Sequence, residues 1–169
     1  MKQRVKELIT SLYKGDISKE EFNKVYFGEK QPNDNYVLDL LRTGIKNKSE
    51  DIIEEAIVLL YTDAFSNFQY ANELCELLQM TWHTKHEDVV MLLKDISAPS
   101  TVNSLYNAAE IEYEYLAYDD TYQFARKCIK ALSSINTESA IDKLKLLSNS
   151  RIQKISEYAK KELCYKGLL

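Results

Sequence analysis

The segment Leu93–Leu105, LKDISAPSTVNSL, returns at Leu132–Leu144 as LSSINTESAIDKL. Leu93, Ile96, Val102 and Leu105 align with Leu132, Ile135, Ile141 and Leu144 at one constant offset of 39 residues. Each copy reads as a helix end, a short polar turn and a helix start. A recurring helical unit cannot bury its apolar face alone and must lean on a neighbour. The pattern therefore points to stacked helical repeats. A second signature supports the same division. Ala56/Leu60, Val89/Leu93, Cys128/Leu132 and Ala159/Leu163 each place a small or branched residue four before a leucine, at successive spacings of 33, 39 and 31 residues. The longest spacing holds a segment rich in tyrosine and acid. Insertions in such repeats tend to fall on one face, often the binding face.

Composition agrees with helices. The chain has four Gly and two Pro, too few for a sheet-rich fold full of tight turns. Good helix formers dominate it. With 169 residues it is long enough for one helical-repeat domain with its own core. We expect an all-α, HEAT-like α-α superhelix of about 8–9 helices. Residues 1–48 would form an atypical helical cap, and residues 49–165 the repeats. No apolar run reaches the length needed to span a bilayer, so no membrane contact is expected. The amphipathic amino terminus lacks the apolar core of a secretory signal. Cys75, Cys128 and Cys164 form no CxxC pair and fall on apolar helix faces, which predicts buried free thiols in a reducing cytoplasm.

Charge is uneven. Residues 1–122 hold 12 basic and 22 acidic residues, whereas residues 123–169 hold 10 and 4. An acidic front disfavours wrapping nucleic acid, and the basic tail keeps a nucleic-acid-binding reading open.

Local signals set the helix ends. Ser18/Glu21 and Thr84/Glu87 have capping-box spacing, and Thr137 is placed to cap the helix carrying Ile141 and Leu144. Gly44 is expected to end a helix begun at Tyr36, and Asp120 to open the helix carrying Phe124 and Cys128. Pro32 marks a loop, and Ser66 or Asn67 a further cap. Ile111–Tyr115 alternates with strand period, but a lone strand leaves its backbone unpaired, so helix or a short irregular extension is expected there.

The stretch ARKCIKALSSINTESAIDKLKLLSNSRIQKISEYAKKEL resembles HEAT repeats of the short bacterial type, over about residues 86–165. TWHTKHED, LYNAAE, YLAYDD and ARKCIKAL are also similar to small bacterial HEAT-like proteins of contact-dependent or polymorphic toxin systems. Some of those are immunity proteins that bind and block a cognate toxin. The resemblance implies a protein partner, in that case a basic toxin domain.

The sharpest surface candidate is YNAAEIEYEYLAYDDTY. Here Tyr106, Tyr113, Tyr115, Tyr118 and Tyr122 are interspersed with Glu110, Glu112, Glu114, Asp119 and Asp120, without an intervening Lys or Arg. Tyrosine supplies contact area with a polar tip, and clustered acid steers a basic partner. The competing reading is a solvated turn with some tyrosines packed between helices. Trp82, His83 and His86 in WHTKHED are secondary candidates, for partner contact or for metal. The blander alternative is a packed Trp82, with the two histidines bonded across a turn. Neighbouring acids lack the geometry for acid–base catalysis, and no glycine-rich phosphate loop exists. The expectation is a noncatalytic, cofactor-free binding protein. A nucleic-acid-binding or base-processing HEAT-like protein and an assembly scaffold are the rivals.

Overall fold

A computed structural model describes residues 3–30, 33–62 and 67–169. Among these residues every regular element is helical, with ten α-helices and three 3-10 turns. That is one helix more than the upper end of the 8–9 expected. The Pro32 break and the Ser66 cap lie outside the described residues. The chain divides into two compact units, one up to Glu73 and one from Leu74.

The first unit contains α1 (Gln3–Lys14), α2 (Lys19–Phe27), α3 (Asp34–Asn47), α4 (Glu50–Tyr61), a 3-10 turn (Asn67–Tyr70) and the start of α5 (Ala71–Leu78). The Ser18–Glu21 capping box is present in both directions, with bonds of 3.1 and 2.8 Å. Helix α4 buries Ile53 and every residue from Glu55 through Leu60, as a central helix must. Gly44 does not end α3, which runs three residues further to Asn47. A Cβ on Gly44 would stand 2.5 Å from Ile53 Cδ1. The glycine is there for the close approach of α4, and packing overrides its helix-ending tendency.

The second unit contains the end of α5, α6 (His86–Ile96), a 3-10 turn (Pro99–Thr101), α7 (Val102–Ala109), a 3-10 turn (Glu114–Leu116), α8 (Gln123–Ile135), α9 (Glu138–Leu147) and α10 (Gln153–Tyr165). The offset read in the sequence reappears in the backbone. Helix α6 ends on Ser97 at φ 50° and α8 on Asn136 at φ 52°, both left-handed. Pro99 and Glu138, also 39 apart, open the elements that follow, a 3-10 turn and a helix. Helix α8 packs against α6, α7, α9 and α10, and α7 also meets α9. Leu93, Leu105, Leu132 and Leu144 are each 0% exposed, so the repeated leucines all point inward. The match is incomplete at one position: Val102 is buried and Ile141 only half-buried.

Three local expectations are corrected. Helix α6 begins at His86 behind Lys85, not on a Thr84 cap, and Glu87 pairs with Lys127 at 3.0 Å. The acid that serves the start of α8 is Asp119, not Asp120: its Oδ2 accepts the Gln123 N–H at 2.8 Å. Of the cysteines only Cys128 is buried; Cys75 is half-buried and Cys164 is exposed. No helix among the described residues is long and apolar enough to cross a membrane.

Candidate functional site

The tyrosine-acid segment follows α7 directly. Ala108 and Ala109 are buried, and the helix closes at Glu110. Ile111–Tyr113 is then irregular, as its isolation required. The alternation still operates. Tyr113 turns inward at 3% exposure and Tyr115 is half-buried, while Glu112 and Glu114 face solvent.

Tyr113 is therefore a core residue rather than part of an exposed face. Its hydroxyl donates to the Leu78 carbonyl at 2.5 Å. Its ring lies 3.8 Å from the His86 ring and 5.2 Å from Phe124. Burial first, then the neighbouring Cys128 and Tyr115, push the Tyr113 hydroxyl well above its usual range, so it stays a donor.

The two histidines are also interior, His83 at 1% and His86 at 0% exposure, with rings stacked 4.2 Å apart. A carbonyl can only accept, so each Nε2 carries a proton: His83 donates to Leu77 at 2.9 Å and His86 to Met80 at 2.6 Å. His83 Nδ1 accepts the Lys85 N–H at 3.1 Å, which makes that ring neutral. His86 Nδ1 lies 3.0 Å from the Tyr115 hydroxyl. These bonds occupy the nitrogens a metal would need. Among the described residues no group of three or more His, Cys, Asp or Glu is placed to hold an ion. Trp82 is half-buried; its ring meets His83 edge-on at 5.0 Å and its indole N–H points at Met80 Sδ.

Several of the remaining candidates line a cleft of about 240 Å³. Glu110, Glu112, Asp119 and Asp120 line it above a floor that includes Ile111, Tyr113, Phe124 and Ala125. Ile152 and Ile155, at the start of α10, complete the floor. Sequence reasoning missed these two, because contact between a loop and a helix some 40 residues later leaves no local pattern. The carboxylate of Asp119 is held by the hydroxyl and N–H of Thr121 and by the Gln123 N–H, which lower its pKa. Tyr158 fixes the same loop by donating to the Thr121 carbonyl at 2.7 Å.

Tyr106 is half-buried beneath the Lys143 ammonium, 4.4 Å from its ring centroid, and Tyr122 is half-buried at φ 54°. Tyr118 is 83% exposed. Among the described residues no cation pairs with Glu112, Glu114 or Asp120. No protein family, curated protein or solved structure matches the chain.

Proposed function

We propose that this chain is a noncatalytic protein-binding domain of HEAT-like repeats, working as an immunity-type inhibitor that covers a basic surface of a bacterial toxin domain. The matched ends of α6 and α8 and the packing of α6–α10 support the repeat reading. One observation carries the binding reading: a cleft with isoleucines on its floor, rimmed by carboxylates that have no cation of their own among the described residues. An apolar floor gives area to a side chain entering it, and the acids attract and orient a basic partner. Tyr118, standing free beside the rim, supplies an aromatic contact.

The test is affinity capture from the source cells with the wild-type chain and with a Glu112→Lys/Asp120→Lys variant. Folding of both is followed by circular dichroism. A basic protein held by the wild type should bind the variant at least about tenfold more weakly. Equal retention by a folded variant overturns the reading.

A further inference from the structure

The first unit carries a cleft of its own. Glu55 lies on the apolar α4, only 8% exposed, and among the described residues no cation pairs with it. Burying a carboxylate without a counter-charge is costly, so a chain that keeps one has a use for it or loses stability by it. The Tyr26 hydroxyl donates to the Glu55 carboxylate at 2.5 Å. Since Tyr26 spends its proton there, Tyr36, whose oxygen lies 2.8 Å from that of Tyr26, must donate to it. The chain of donors thus runs from Tyr36 through Tyr26 to the Glu55 carboxylate.

Glu55 also lines an open cleft of about 800 Å³. Val5, Leu8, Leu40 and Ile52 supply its apolar walls, and the two tyrosines flank the acid. Arg4 and Lys30 line the same cleft, both exposed and neither paired with a described acid. The cleft therefore offers a buried negative charge, apolar walls and exposed positive charges.

We propose that this cleft binds a zwitterion with an apolar body, of the free amino-acid class. Its ammonium meets Glu55 beside the faces of Tyr26 and Tyr36. Its apolar side chain lies on the walls, and its carboxylate faces Arg4 and Lys30. Exposed cations are screened by water and salt and a buried carboxylate is not, so the ammonium contact dominates.

Calorimetric titration of the full chain with L-phenylalanine tests this, with 2-phenylethylamine and 3-phenylpropanoate as probes lacking one charge each. Phenylalanine should bind. 2-Phenylethylamine should bind more weakly by a smaller factor than 3-phenylpropanoate, which should bind at least about tenfold more weakly. Glu55→Gln keeps the shape and an acceptor for Tyr26, and it should lose phenylalanine binding by a similar factor while melting no lower than the wild type. Arg4→Ala/Lys30→Ala should weaken phenylalanine and leave 2-phenylethylamine unchanged. Absence of phenylalanine binding, equal affinity for either probe, or an unaffected Glu55→Gln variant overturns the proposal. None of these results bears on the acidic cleft of the second unit.

Discussion

Tyr113 and Tyr118 stand five positions apart and behave oppositely. Tyr113 satisfies the Leu78 carbonyl from inside the core, and Tyr118 is 83% exposed. Tyr113→Phe should therefore cost about 1–3 kcal/mol of stability, the penalty for leaving a buried carbonyl without its donor. Chemical denaturation measures it. Tyr118→Ala should change stability by no more than about 0.5 kcal/mol and instead weaken the partner. At this scale the period-two spacing of Ile111–Tyr115 was legible: it separates Tyr113 and Tyr115 from Glu112 and Glu114. Which side faces inward was not legible, because the answer depends on the histidine pair and Phe124 waiting under the loop. Glu55 escaped notice for a similar reason. One acid among the four of α4 looks like part of its solvent face until a neighbouring tyrosine is found bonded to it.

Among the elements, helix existence was read well wherever the 3.6-residue period was long, and ends were read well where a side chain makes the cap. Ser18 and Thr137 both cap as their spacing implied. Gly44 shows the limit, since its meaning is set by Ile53 on the next helix. Two effects compete in Gly44→Ala. Alanine gains up to about 1 kcal/mol in helix propensity. Its methyl, however, would press on Ile53, which is 0% exposed and has little room to give. Overpacking of this kind costs about 1–3 kcal/mol, so the net effect should be destabilising. Thermal melting of that variant checks the sign, and a raised melting temperature would contradict the close approach.

For the whole molecule, the uneven charge could be read directly and its use could not. Residues 1–122 carry an excess of acid and residues 123–169 an excess of base, and the carboxylates of the second-unit cleft lie at that junction. If the cleft receives a basic partner, the association rate should fall at least about tenfold between roughly 20 and 500 mM salt. Stopped-flow mixing measures it, and a flat profile would point to an apolar contact alone. The repeat offset was equally plain in the sequence, because identical spacing of buried leucines constrains both copies. What the spacing concealed is that α8 touches every other long helix of its unit. A chain of repeats ordinarily frays link by link, each neighbour surviving the loss of the next. Here one helix is the partition wall for both copies, so damage to it has nowhere to stop, and residues 86–165 should melt as a single block.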